Sequence, residues 1–261
     1  MSVYNPRPLD LLKEAVESVL NQNFPDFEFL IYDDGSDGET KKELSQLAAR
    51  DNRIRLLLGK ENRGLAWGLN QCILAARGEY LARMDADDIS LSRRLQVQYD
   101  FLESHREYDF VGCAAFLLDK KGIWGKRILP QFPGTKDYLS FSPFIHPSVM
   151  FRRKVFEKHG LYNTHPEFLR CEDYELFFRF YQAGVKGCNL PAPLFFYRED
   201  KDSYKKRTFQ SRKMEVKFRQ KAFQNLKLSP GAFCWYSYKP YMAALLPSWL
   251  YGPMKKIQSA I

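Results

Sequence analysis

Carboxylates dominate the residues of this chain that are able to do chemistry. Asp85, Asp87 and Asp88 put three of them into four consecutive positions, directly after the apolar run YLARM. Like charges this close repel unless a cation or a basic side chain neutralises them. An all-oxygen donor set suits a hard divalent ion, Mn²⁺ or Mg²⁺, which keeps open positions for phosphate oxygens. The competing reading is a helix N-terminus, with Asp88 and Ser90 capping a helix that starts near Leu91. A second pair, Asp33-Asp34, opens the turn DDGS, where Gly35 supplies positive φ. A turn needs only one acid, and a carboxylate at a strand's end also accepts hydrogen bonds from a nucleobase imide or from ribose hydroxyls. Glu172-Asp173 forms a third pair. It reads either as helix N-terminal acids favoured by the macrodipole or as a general base, and the two roles are compatible. His146, just before Pro147, is placed either to approach a metal or acceptor or to make a structural hydrogen bond. Arg198 after Tyr197 either neutralises a phosphate or is solvated.

These residues need a scaffold, and the apolar pattern supplies one. Leu12, Val16, Val19 and Leu20 fall on one face of a helix over Leu9–Leu20. Phe27–Tyr32 reads as a buried strand running into DDGS, Lys41–Arg50 as a helix and Ile54–Leu58 as a strand. A helix over Gly64–Ala76 stops at Gly78, and the strand Tyr80–Met84 ends in the acidic cluster. This alternation predicts a mostly parallel, doubly wound α/β sheet, whose ligands bind beyond the carboxyl ends of the strands. Further on, the pattern predicts a helix over Arg93–Ser104, a strand over Phe110–Leu118 and a loop-rich stretch over Ile123–Pro143. After these come a helix over Glu172–Ala183, a strand over Leu194–Tyr197 and a long basic helix over Lys205–Leu226.

Charge is distributed unevenly. The 261 residues carry a net +9, yet residues 201–227 hold ten basic and two acidic side chains, and residues 228–261 three basic and none acidic. The first 200 residues are therefore slightly acidic, and one boundary is expected near residue 200. The five cysteines form no CxxC pair, which argues against a zinc site and for reduced, mostly buried thiols in a cytosolic protein. Residues 1–20 contain no apolar segment of the signal-peptide kind. The uncharged run Pro240–Met254 is 15 residues broken by two prolines, short of the roughly 20 that a spanning helix needs.

Taken together, YDDGSDGET (Tyr32–Thr40), ENRGLAWGLN (Glu61–Asn70), ARGEYLARMDADD (Ala76–Asp88), HPSVMFRR (His146–Arg153), CEDYELFFR (Cys171–Arg179) and LFFYR (Leu194–Arg198) resemble a family 2 glycosyltransferase of the GT-A fold. The nearest resemblance is to bacterial enzymes of O-antigen, capsule or lipopolysaccharide synthesis. It implies a GT-A (Rossmann-like) catalytic domain over residues 1–200, with a nucleotide-sugar half to about residue 90 and an acceptor half beyond it, followed by a basic, aromatic tail over 201–261. By the same resemblance Asp34 bonds a uracil ring, Ser2 and Asn5 line its pocket, and Arg63 approaches the diphosphate. Asp85 faces the ribose, while Asp87 coordinates the divalent ion, with Asp85 and His146 as further candidate ligands. Asp173, beside Glu172, matches the catalytic base of an inverting, hexosyltransferase-type reaction from a UDP-sugar to a glycan or polyprenyl-linked acceptor.

Two departures from the family pattern stand out. The first strand is nearly absent, since only Met1–Val3 precede Tyr4-Asn5. The QxxRW motif of processive members is missing, so transfer of a single sugar is expected. The basic segment and the seven tail aromatics, Phe233, Trp235, Tyr236, Tyr238, Tyr241, Trp249 and Tyr251, predict a peripheral position on an anionic cytoplasmic membrane face, without nucleic acid as partner. Competing readings are a non-enzymatic basic binding protein, a sugar-phosphate nucleotidyltransferase and a catalytically impaired relative. The nucleotidyltransferase needs a glycine-rich phosphate loop, and residues 1–20 contain no glycine.

Overall fold

The structure, a computed structural model, describes residues 1–199 and 209–245. In chain order the N-terminal half contains β1 (Ser2–Val3), α1 (Leu9–Leu20), β2 (Phe29–Asp33), α2 (Gly38–Arg50), β3 (Ile54–Leu58), α3 (Leu65–Ala75), β4 (Tyr80–Ala82), β5 (Ile89–Ser90) and α4 (Arg94–Ser104). Then come β6 (Phe110–Asp119), β7 (Gly122–Arg127), α5 (Thr135–Ser140), β8 (Met150–Arg152), α6 (Lys154–His159), α7 (Glu172–Gln182), β9 (Gly187–Arg198), α8 (Phe209–Phe223) and α9 (Pro230–Leu245). The expected helices and strands are present with shifted ends among the described residues; the start of the expected basic helix, residues 205–208, lies outside them. The stretch expected to be loop-rich contains β7, paired with β6, and α5. The last strand is longer than expected because β9 runs along β6 through Pro191 and Pro193, and the register shifts there.

Parallel pairing is confined to β1–β2–β3 and to β6 with β9. The remaining ladders, β4–β8, β6–β8, β6–β7 and β5–β9, are antiparallel, so the second sheet is mixed rather than mostly parallel. The two sheets are separate among the described residues. The cause is local: β1 has two residues and pairs only with Tyr32 and Asp33 at the end of β2. The Met1 ammonium donates to Leu30 O at 2.9 Å, and a cavity of about 700 Å³ separates β2 from β4, lined by Leu30, Leu69, Cys72, Leu81 and Met84 among others.

Side chains close what main-chain ladders leave open. Leu12, Ala15, Val16 and Val19 of α1 pack in one apolar cluster with Ile31 of the first sheet and with Cys113, Ala115, Leu194 and Phe195 of the second. Gln22, just past α1, donates to Ser18 O, Ser90 Oγ and Leu91 O and accepts from Leu95 N. Asn70 of α3 clamps the distant Tyr162, donating to its carbonyl and accepting from its N–H, both at 2.9 Å. A second cluster holds Phe110, Phe151, Phe177 and Phe180 together with Phe218 and Phe223 of α8. The described part of the C-terminal segment therefore shares the core of α7. The five thiols are free, and all but Cys234 are buried.

Replacing Asn70 with Ala strips both partners from the buried main chain of Tyr162. Urea unfolding should show a loss of about 1–3 kcal/mol, the cost of orphaned buried polar groups. An unchanged midpoint would mean that the clamp contributes nothing.

Candidate active site

The acidic cluster sits at the end of β4, as the motif spacing predicts. Ligand oxygens of Asp85, Asp87 and Asp88 all lie within 4.8 Å of one another, with Asp88 buried, Asp85 half-buried and Asp87 exposed. Asp88 is not a helix cap, because Ser90 lies in β5 and α4 begins only at Arg94 without a side-chain cap. Its Oδ1 instead accepts the main-chain N–H of Arg198 at 2.7 Å, while its Oδ2 has no hydrogen-bond partner. Burial first, then the charges of Asp85 and Asp87, push the Asp88 carboxyl well above the usual carboxylate range. An orphaned buried oxygen inside an all-oxygen group fits a hard divalent cation. The Arg198 guanidinium braces this corner, with Nε donating to Asp87 O at 2.7 Å and Nη2 to Glu14 at 3.0 Å.

One cation faces the cluster from inside. Arg83, buried at the end of β4, pairs with Asp85 at 2.6 Å. Its field also reaches Asp88, Asp173, His146 and Tyr162. His146 stands apart from the three-aspartate group. Its buried Nε2 shares a 2.7 Å hydrogen bond with the Tyr162 hydroxyl, and burial together with Arg83 holds the imidazole neutral, well below its ordinary value. Tyr162 is the residue that Asn70 clamps, so the position of His146 is set from α3.

Asp173 is the second residue of α7 and half-buried. Burial and the adjacent Glu172 push its carboxyl up to about 6, against the opposing pull of nearby main-chain N–H groups and Arg83. A carboxylate with that value is deprotonated at neutral pH yet basic enough to take a proton in a transition state. Local packing fixes the helix: Tyr174 donates its hydroxyl to Tyr138 O, and Leu176, Phe177 and Phe180 are fully buried.

A second corner forms around DDGS. Asp33 Oδ1 accepts from Ser36 N at 2.9 Å, closing the turn, and Gly35 takes φ +74. A Cβ on Gly35 would lie 2.6 Å from the Glu61 carbonyl carbon, so only glycine fits. Asn5 locks the same turn, its N–H donating to Ser36 Oγ at 3.1 Å and its Oδ1 accepting from Asp37 N at 2.8 Å. Asp34 accepts from Arg63 N at 2.9 Å and from Gly64 N at 2.7 Å, so it shapes the loop that opens α3. The Arg63 guanidinium lies 3.5 Å over the ring of Trp67. Ser2 lies against α3, where the space for a Cβ on Gly68 is already taken by its hydroxyl.

Of the residues expected from sequence, the acids 85 and 87 come together with Arg198, and Asn5 and Asp34 come together with the DDGS and Arg63 loops. Sequence reading passed over Arg83, Tyr162 and Asn70 as site residues. A cation two positions before an acidic cluster, inside an otherwise apolar strand, was the one available signal.

Residues 1–160 match the family model described as glycosyl transferase family 2. The chain is 36% identical over 249 residues to the putative glycosyltransferase EpsE of Bacillus subtilis, covering 95% of this chain and 88% of that protein. It is 31% identical over 212 residues to the amylovoran biosynthesis glycosyltransferase AmsE of Erwinia amylovora, covering 79% and 77%. Among solved structures, the mannosyltransferase PcManGT of Pyrobaculum calidifontis, in complex with GDP-Man and Mn²⁺, superposes with a TM-score of 0.68 at 18% identity, covering 100% of this chain and 79% of that one. TarS of S. aureus with UDP-GlcNAc gives 0.67 at 15% identity, covering 92% and 70%. These neighbours share the GT-A fold with this chain. The chain is a member of glycosyltransferase family 2.

Proposed function

We propose that this enzyme transfers a single sugar, with inversion, from a UDP-sugar to a hydroxyl of a glycan or polyprenyl-linked acceptor in the synthesis of a bacterial surface polysaccharide. The observation that carries the reading is the all-oxygen group Asp85, Asp87 and Asp88, with buried Arg83 paired to Asp85 and its field reaching Asp173, whose carboxyl is pushed up to about 6. Support for polysaccharide synthesis comes from the names of the relatives. Support for a nucleotide-sugar donor comes from the complexes of the neighbours, one with a guanine and one with a uracil nucleotide.

In this reading Asp85, Asp87 and Asp88 hold Mn²⁺ or Mg²⁺. When bound, the ion neutralises charge that builds on the departing β-phosphate. Asp34, Asn5 and Ser2 border the base; each Asp34 oxygen has one lone pair committed to a loop N–H and a second left for an imide. Arg63 stands at the same loop for the diphosphate. Asp173 Oδ takes the proton from the acceptor hydroxyl as that oxygen attacks the anomeric carbon opposite the leaving group. Burial and then Glu172 raise the basicity of Asp173, and the Tyr174 main-chain N–H and Arg83 oppose that rise. One base and no covalent intermediate give inversion.

UDP with Mn²⁺ should raise the melting temperature of the wild type, since ligand at a hundredfold excess over Kd contributes about 2.7 kcal/mol. Asp87→Ala should lose that stabilisation and the transfer activity, and EDTA should inhibit the wild type. Full activity in EDTA would remove the metal from the mechanism.

Asp173→Asn should retain donor binding while kcat falls by about a hundredfold or more, the scale of a general base. Wild-type kcat should fall as pH drops through about 6, where Asp173 becomes protonated. The stability effect runs the other way. A carboxyl whose folded pKa lies above its unfolded value favours folding only when protonated, so its contribution declines as pH rises from about 4 to about 6 and is gone above that window. The Asn variant should thus melt higher than wild type at pH about 7, and the gap should close at pH about 4. Turnover within a few-fold of wild type would assign the base elsewhere.

A further inference from the structure

We propose that the exposed face of the α8–α9 hairpin docks in the plane of an anionic lipid membrane. On α9, Trp235, Tyr238 and Met242 follow each other at three- and four-residue spacing and form one stripe. They are 54%, 42% and 50% exposed. Phe209, at the start of α8 and 69% exposed, stacks on Tyr241 with centroids 5.6 Å apart and extends the stripe onto the second helix. Gln220 donates to the Tyr238 hydroxyl at 2.6 Å, which fixes that ring outward rather than over the core. The opposite face is spent on the fold, with Val216, Phe218, Arg219 and Phe223 buried. An aromatic stripe of this size on the surface marks an interaction site.

Charge selects the occupant. α9 contains no acidic residue, and the single acid of α8, Glu215, is held by Arg212 at 3.2 Å and Arg219 at 2.9 Å. Lys213 and Lys217 are exposed on α8, the helix that carries Phe209, and the neighbouring acid Glu167 is paired with Lys221 at 2.9 Å. Isologous pairing with a second copy would bring the same lysine-bearing hairpin against itself. Anionic headgroups complement those lysines, and Trp and Tyr rings favour the headgroup zone. The stripe runs along one side of α9, which suits a helix lying in the interface plane, and no helix among the described residues is long and apolar enough to cross a membrane.

The hairpin is also wired to the site. Phe218 packs edge-on to Tyr174 at 5.0 Å, next to Asp173, and the Arg219 guanidinium covers Tyr174 and donates to Leu139 O and Ser140 O. Docking would hold the base-bearing helix beside the bilayer, where the hydroxyl of a lipid-linked acceptor emerges. That placement rests on the glycosyltransferase reading, whereas the docking rests on the surface alone.

The test is co-sedimentation of the full chain with vesicles of phosphatidylcholine, alone or mixed with phosphatidylglycerol, at low and high salt. Because α8 is part of the core, point variants serve better than truncation. The wild type should sediment with the anionic vesicles, less so at high salt. Lys213→Glu with Lys217→Glu should lower partition by about tenfold or more on anionic vesicles. Trp235→Ser with Tyr238→Ser and Met242→Ser should lower it at every salt concentration. Equal partition of wild type and both variants, or no sedimentation of the wild type, would overturn the proposal. So would a concentration-dependent dimer that the stripe variant abolishes and that leaves vesicles unbound. Stabilisation by UDP with Mn²⁺, measured on the same samples, reports folding and the donor site separately: its survival alongside lost docking sinks only the membrane proposal, and its absence alongside intact docking sinks only the functional one.

Discussion

A buried guanidinium among carboxylates is the interaction on which the site depends. Arg83 is drawn out of water by its place at the end of β4, and it stays charged because Asp85 is 2.6 Å away and Asp88 is close behind. Burial keeps His146 neutral and the same charge reinforces it, while also opposing the rise of Asp173. An isolated ion in such a place would be prohibitive, whereas a mutually compensated set is tolerated and fixes geometry. Crowding the carboxylates of Asp85, Asp87 and Asp88 raises the cost of ionising all three together, which is the electrostatic condition that a bound cation relieves.

The geometry of this set is maintained from far away in sequence. Arg198, at the end of β9, offers its N–H to Asp88 across 110 positions. Tyr162 is held by Asn70, and its hydroxyl in turn holds His146. Gln22 ties the end of α1 to the segment that follows the acidic cluster. Gln22, Asn70, His146 and Tyr162 are buried polar side chains with hydrogen-bond partners, the arrangement in which such groups specify structure.

Short-range pattern made much of this readable. Apolar periodicity located α1, α4 and α7 within a residue or so, and Asp33-Asp34 and the Asp85–Asp88 cluster fell at strand ends because α/β connections put turns there. What escaped was decided by tertiary contact. Pro191 and Pro193 disguised β9, although a register shift accommodates them beside β6. The second role of Asp88, as acceptor for the main-chain N–H of Arg198 beside its place in the acidic cluster, was not readable from spacing. Of the seven tail aromatics, Phe233 and Tyr236 pack against the core while Trp235 and Tyr238 face out, a division that only the partner surface could set; Trp249 and Tyr251 lie outside the described residues. The mixed pairing of the second sheet was invisible because antiparallel β8 is three residues long.

The gap between β2 and β4 has a mechanical meaning. Without a ladder across it, the two sheets form two plates hinged on α1 and pinned by side chains such as Asn70. The DDGS corner belongs to one plate and the aspartate cluster to the other. A molecule long enough to touch both corners becomes a cross-brace, and part of its binding free energy goes into making the plates unfold as one. A ligand that bridged both corners would thus make unfolding of the two sheets more cooperative.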